Sequence, residues 1–426
     1  MIRNSERKKV IHCNLMSVFL AAAYNPKAAV VFHAPKSCSH IAYNAFWEMR
    51  QKIENQKNLK AEHDCSNLFV TGLADKEAIF GGEKILKECL LDVVAERNPE
   101  YIIVAAGCAA GVIGDDVAAI CQEVEQTTGV PVLYVEGSGF MNQKAVDGVL
   151  SVTKAICQRF VDPLLKKTKD PASIAVVGMN SIFSPSKESQ EINRLLGLFG
   201  FTKIYYPPGG MSLEQFKDMA SVSAITAISF LPKTLVEVEK FAQQFAEKRE
   251  IDYIKLKIPN TMDAVYEWLQ TIGTVLNRTT EAEKLAELEK QSYNKFLQQI
   301  TTHISNKNYI FAISLPQRYF DPLEIIKMLD EAGMQLQGIV FCEELTKQEQ
   351  QAHYESLKEK VQTEFYTGAE LQKLTADILL TTTPKKCLLP QYCITFRRIG
   401  RSGVENFLLK LAKTLNEKRK LVYEKQ

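Results

Sequence analysis

Residues 100–137, EYIIVAAGCAAGVIGDDVAAICQEVEQTTGVPVLYVEG, place a helix pattern between two strand patterns. Tyr101 to Ala105 is a short apolar, β-favouring run, and VPVLYV at 130–135 is another. Between them Val117, Ile120, Cys121 and Val124 recur at spacings of three and four, so a single apolar stripe runs along a helix and buries Cys121. A connection of that length cannot be a hairpin; it is a crossover between parallel strands. Parallel strands are covered on both faces, and ligands of such sheets sit at the carboxyl ends of the strands. Cys108 falls at such an end, among Gly107, Gly111 and Gly114, which permit close approach of the backbone to a bulky group. Asp115 and Asp116 stand where carboxylates cap a helix and favour its positive end.

The same alternation runs along the chain. AAVVFHAP, NLFVTGL, SIAVVGM, TKIYYPP, AITAISFL, NYIFAISL and LQGIVFC read as further buried strands. GGEKILKECLLDVVAERN and SKESQEINRLLGLFG read as helices stopped near Asn or Gly. At 426 residues the chain exceeds one ordinary domain. VDPLLKKTKDPAS and the charged helix RTTEAEKLAELEKQSYNKFLQQI divide it into an N-terminal α/β domain (1–168), a middle one (169–300) and a C-terminal one (301–426). The fold class expected is α/β, with three Rossmann-like domains of parallel sheet flanked by helices.

Composition excludes several functions. Hydrophobic residues at 46% and charged residues at 24% are globular values, and 52 basic against 50 acidic residues leave a net charge of +2. Nothing global draws the chain to nucleic acid or an anionic membrane. VIHCNLMSVFLAAA follows basic residues but is interrupted by His12, Cys13 and Asn14, so it is not read as an export signal. A cytoplasmic protein is expected, in which the ten cysteines stay reduced. SIAVVGMNSIFSPSKES has a single glycine after its strand, too few for a dinucleotide fingerprint.

Cys108 alone reads as a thiol filling a tight turn. Its company is Cys38 in FHAPKSCSH, again just after a strand, and Cys13 in VIHCNLMS, with His12, His33, His40 and His63 in the same portion. Separations of 25 and 70 positions match no zinc-ribbon or ferredoxin spacing, so any shared metal would be assembled by the fold. Cys65 is either a supplementary ligand with His63 or Asp64, or an unengaged loop thiol. Cys89 and Cys157 fall on apolar helix faces, Cys387 and Cys393 read as strand thiols or as metal or substrate contacts, and Cys342 stays open. Arg397, Arg398 and Arg401 would clamp carboxylates or an anionic cofactor, or pair with acidic residues of a partner.

HAPKSCSH, EAIFGGEKIL and GCAAGVIGDDVAAICQEVEQTTGVPVLYVEGSGF together resemble the nitrogenase component 1 family, most strongly over residues 10–142. They are similar to its His-Gly-Pro-x-x-Cys, Phe-Gly-Gly-x-x-Lys-Leu and Cys-x-x-x-x-Ile-Gly-Asp-Asp segments. Matched residue by residue, the resemblance implies that Cys13, Cys38 and Cys108 hold an iron-sulfur cluster, 4Fe-4S or 8Fe-7S of the P-cluster kind, at a boundary with a paralogous subunit. It implies a heterotetramer, with a homodimer as the alternative, served by an ATP-dependent iron-sulfur reductase protein. A nitrogenase active-site cofactor is held by a cysteine in the middle domain and a histidine near the end. Here the comparable strand end offers Ser229, and no histidine follows Leu380. The tail resembles that of a beta-type partner subunit, while the short segment before Cys13 differs from the partner subunit of standard molybdenum nitrogenase. The function expected is therefore an oxidoreductase subunit relaying electrons to a substrate or metallocofactor site, the catalytic centre on another chain. The alternatives are a scaffold for metallocofactor assembly and a small-molecule-binding protein with packed thiols. Dinitrogen, tetrapyrroles and organosulfur compounds all stand as substrates within the resemblance.

Overall fold

The computed structural model describes residues 14–22, 25–44, 67–137, 148–164, 167–179, 187–229, 232–316, 321–394 and 398–423. Cys13, Cys65 with its neighbours His63 and Asp64, residues 138–140 and Arg397 lie outside the described residues.

The first sheet runs in the order β2-β1-β3-β4, with β1 Ala28–His33, β2 Leu68–Val70, β3 Tyr101–Ala106 and β4 Val132–Glu136. Its pairings are parallel, as the crossover reading requires, and His33 stands opposite Ala106 at the ends of β1 and β3. Both of these strands are buried along their whole length. Successive side chains point to opposite faces, which sorts them into two cores. Val30, Phe32, Tyr101, Ile103 and Ala105 face the helices at Asn14–Ala22 and Gly148–Ile156. Ala29, Val31, Ile102 and Val104 face Leu86, Leu90 and Val93 of helix Glu83–Arg97 and Val117, Cys121 and Val124 of helix Val117–Thr128. The expected stops hold: the first of those helices ends on Asn98 and the second on Gly129, both left-handed.

A second sheet, β6-β5-β7-β8, is built from β5 Asp170–Val177, β6 Lys203–Tyr205, β7 Val222–Ala227 and β8 Asp252–Ile254. Most of residues 1–253 form one compact unit, in which Ala175, Val177, Val222 and Ile225 join the same core as Tyr101 and Phe160. Polar bonds lock that unit. The Asn25 amide donates to Tyr101 Oη (2.9 Å) and Pro208 O (2.8 Å), and Arg249 donates to Val161 O (2.6 Å) and Ala220 O (3.2 Å).

The second unit comprises residues 187–200, 230–233 and 254–426. Its sheet is ordered β11-β10-β9-β12-β13, with β9 Asn308–Ile313, β10 Gln335–Phe341, β11 Glu364–Thr367, β12 Ile378–Thr381 and β13 Gln391–Cys393. The chain winds outward from β9 on one side and returns on the other, a doubly wound parallel sheet. Helices Met262–Val275, Thr279–Ile304 and Gly400–Tyr423 pack together beside it. The chain is thus α/β, with three parallel sheets flanked by helices. No helix among the described residues is long and apolar enough to cross a membrane.

Candidate functional site

The expected thiols leave neighbouring strand ends of the first sheet. β1 ends at His33, and residues 36–44 are helical, with Cys38 N–H donating to Pro35 O (3.0 Å). β3 ends at Ala106; Gly107 N–H donates to His33 O (2.9 Å), and Cys108 opens a helix at Cys108–Ile113. A Cβ on Gly107 would come within 2.9 Å of Ala34 Cβ, so the two loops touch only because residue 107 has no side chain. The turn expected around Cys108 is therefore a short helix. Its small residues support α-geometry, with Gly111 and Gly114 N–H groups bonding back to Gly107 O and Ala110 O, and it stops at left-handed Gly114.

Cys38 and Cys108 are partly exposed. Other thiols differ: burial pushes Cys121 and Cys157 up to about 12 and Cys89 and Cys342 up to about 11. Thiols so hard to ionise serve packing, as the periodicity of Cys89, Cys121 and Cys157 implies. Cys342 lies buried just past β10, while Cys387 is partly exposed and Cys393, on β13, is exposed. Among the described residues no three His, Cys, Asp or Glu side chains gather as a metal site. Cys38 and Cys108 have the soft donor chemistry and the accessible, adjacent strand ends that an iron-sulfur cluster needs. They fit as part of a larger ligand set.

A buried polar cluster closes this sheet end. The His33 ring, fully buried, lies with Nε2 2.9 Å from Asp115 Oδ2 and Nδ1 3.1 Å from Thr71 Oγ1. Asp115 Oδ1 accepts from Gly82 N–H (2.7 Å), and Thr71 Oγ1 accepts from Ala34 N–H (3.3 Å). Burial pushes His33 below its ordinary 6.5 and outweighs the opposing pull of Asp115, so the ring is neutral near pH 7 and donates through Nε2–H. The two aspartates expected to cap one helix divide their roles. Asp116 accepts from Ala119 N–H (3.0 Å), and Asp115 turns inward to the histidine. The only signal in the sequence was a histidine on a strand otherwise wholly apolar.

Exposed apolar side chains stand on the Cys108 helix and on the helix packed against it. Helix Asp75–Phe80 packs against the Cys108 helix, and Ile79, Phe80 and Val112 are 75%, 80% and 80% exposed.

Arg398 and Arg401, the two FRRIGRSG arginines among the described residues, do not form an open clamp. Arg398 is buried over the Phe407 ring (5.2 Å). Arg401 pairs within the chain, with Glu289 (3.1 Å) and Glu405 (2.8 Å). Arg194 bonds both Glu191 (2.8 Å) and Glu289 (2.7 Å), completing a network across three helices of the second unit. Ser229 is buried just past β7, where the resemblance would place a cofactor cysteine.

Parallel sheets, with two thiols just past adjacent strand ends, define an α/β protein. The chain belongs to the nitrogenase component 1 type oxidoreductase family, whose pattern matches residues 13–400. It is similar to the nitrogenase iron-molybdenum cofactor biosynthesis protein NifE of Clostridium pasteurianum, at 25% identity over 71% of this chain and 62% of that protein. The nitrogenase molybdenum-iron protein alpha chain of Methanosarcina barkeri is 27% identical over 39% of this chain and 30% of its own length. The solved structure of nitrogenase Cp1 at pH 5 superposes with a TM-score of 0.62, covering 95% of this chain and 88% of that one at 17% identity, which establishes the fold. The chain spans less than two thirds of the length of the curated relatives it matches. These relatives correct the expected kinship with a beta-type subunit, for they are a cofactor-biosynthesis protein and an alpha chain.

Proposed function

We propose that this protein is a cytoplasmic scaffold subunit for assembly of a nitrogenase-type metallocofactor, working with a paralogous component 1 subunit. The observation that carries the reading is the likeness to a cofactor-biosynthesis protein over most of the chain. The residues agree with it. Ser229 and a tail without histidine after Leu380 remove the two protein bonds that anchor a finished cofactor, as suits a chain that releases its cargo. Cys13, Cys38 and Cys108 would hold an iron-sulfur cluster at the subunit boundary, which supplies one-electron chemistry when bound. The partly exposed thiols of Cys38 and Cys108 offer it soft ligands, and the surrounding buried strands exclude water from its inner side. The exposed Ile79, Phe80 and Val112 patch suits docking of an ATP-dependent iron-sulfur reductase protein. We further propose that residues 1–168, 169–300 and 301–426 are the three domains of this assembly.

The relay subunit of a nitrogenase-like reductase uses the same thiols and stands second. Anaerobic co-expression with a paralogous subunit separates the two. A scaffold carries iron that transfers to an apo-nitrogenase and restores its activity, whereas a reductase subunit turns over substrate with the iron protein and ATP. Substrate turnover without any transfer would sink the scaffold reading. Iron content unchanged in Cys38→Ala and Cys108→Ala would sink the ligand assignment.

A further inference from the structure

The three segments that carry the family resemblance each send one residue to a single buried knot: His33 from HAPKSC, Gly82 from FGGEKIL and Asp115 from GVIGDD. None of the three is a thiol. We propose that His33 and Asp115 are a positioning pair that holds the Cys38 and Cys108 segments in register before any metal arrives. This rests on the reading of those two cysteines as ligands of one site.

The knot lies at the base of both thiol segments. His33 is five residues before Cys38, and Asp115 is seven residues after Cys108. The 2.9 Å bond between them therefore closes a link from one segment to the other that bypasses the thiols. Every polar atom of the pair has a partner within the first unit. Ring Nδ1 meets the Thr71 hydroxyl at 3.1 Å, and the other carboxyl oxygen takes the Gly82 N–H at 2.7 Å. The site admits no filler. A Cβ on residue 82 would lie 2.7 Å from Asp115 Oδ2 and 2.8 Å from His33 Cε1.

Burial by itself does not account for the pair. An apolar pair of similar volume would bury as much surface without desolvating a carboxyl group and an imidazole, and such replacements are often neutral or stabilising. A directional bond does what an apolar contact cannot, since it admits one register of the two segments. The backbone bond from Gly107 to His33 O fixes the strand ends but not the turn at Asp115, which follows the thiol helix.

The test uses the metal-free full chain and needs no cluster. Dibromobimane cross-links two thiols held a few ångströms apart, and peptide mapping identifies the Cys38–Cys108 product. Wild type is expected to form it, and His33→Gln, whose amide can replace the Nε2–H donor, should form it at a similar rate. His33→Leu and Asp115→Leu, whose apolar side chains carry no hydrogen-bonding group, should slow it roughly tenfold, because a loosened register lowers the effective concentration of one thiol at the other. Retained circular dichroism in Asp115→Leu separates loss of register from loss of fold. Equal rates in wild type, His33→Leu and Asp115→Leu overturn the proposal, and so does the absence of this cross-link in wild type. Failure of the wild type to bind iron, with the rate order intact, would instead remove the cluster reading and leave the pair standing.

Discussion

Gly82→Ala isolates the knot with one methyl group. Residue 82 has φ −103 and ψ 2, so alanine meets no backbone strain there, and reduced freedom of the unfolded chain would favour it by about 0.4–1 kcal/mol. The folded state opposes this strongly. The new Cβ would stand 2.6 Å from Leu73 Cδ2, 2.7 Å from Asp115 Oδ2 and 2.8 Å from His33 Cε1, all inside the closest approach of real carbon atoms. Overpacking of a filled core costs about 1–3 kcal/mol. Moving the carboxyl group out of the way disturbs its bonds to Gly82 and His33, and a buried polar group left without its partner costs about 1–3 kcal/mol more. The net loss expected is about 1–5 kcal/mol, with a middle value of about 3, which at a urea slope of about 2–3 kcal/mol/M lowers the midpoint by about 1 M. Gly129→Ala is the control, since φ there is +74 and nothing lies within 4 Å of the added carbon. It carries only the left-handed penalty, about 1–2 kcal/mol. Both are read by urea titration followed by circular dichroism at pH 7.5. Should Gly82→Ala lose no more than Gly129→Ala, the steric and hydrogen-bond reasoning for the knot is refuted.

Three other outcomes follow from the same structure. Arg194→Met leaves the buried Glu191 and Glu289 short of a partner and should destabilise the second unit by about 2–4 kcal/mol, with faster hydrogen exchange in the helix at 279–304; unchanged exchange there would contradict it. Burial holds His33 and His353 below 6.5, so below that pH the unfolded chain binds protons the native chain does not. Stability should be flat above about 6.5 and fall by up to about 1.4 kcal/mol per pH unit per histidine below it. Glu324 and Glu331 are raised, by partial desolvation first, and carry the opposite sign, so the comparison is with His33→Gln and His353→Gln, whose acid lability should weaken; profiles that superimpose would refute the assignment. Finally, Cys121 and Cys157, at about 12, should react with iodoacetamide roughly a thousandfold slower than an ordinary thiol until the chain unfolds, as mass spectrometry would show; early labelling would place them outside the core.

The strands and helices written most plainly in the sequence are those whose evidence is local. AAVVFH, YIIVAA and NYIFAI are continuous apolar runs because parallel strands are covered on both faces, and Asn98 and Gly129 mark helix ends because few other residues accept their left-handed geometry. β8, β11 and β13 escaped notice: each is three or four residues long and partly exposed, too short to show a period. β12, four buried residues, is an apolar run no longer than a turn of helix and carries no distinguishing pattern. The thiols of Cys38 and Cys108 were legible as strand-end residues, because a strand and the loop after it are contiguous in the chain. What they meet was not. His33 and Asp115 are 82 positions apart, and Arg401 and Glu289 are 112 apart. Which polar side chains share a buried space depends on the register between strands and on the packing of helices from distant segments. Local periodicity says which face of an element is apolar; only the assembled tertiary structure decides that Asp115 turns to His33 rather than to its own helix, and that Arg401 is spent on the chain's own glutamates.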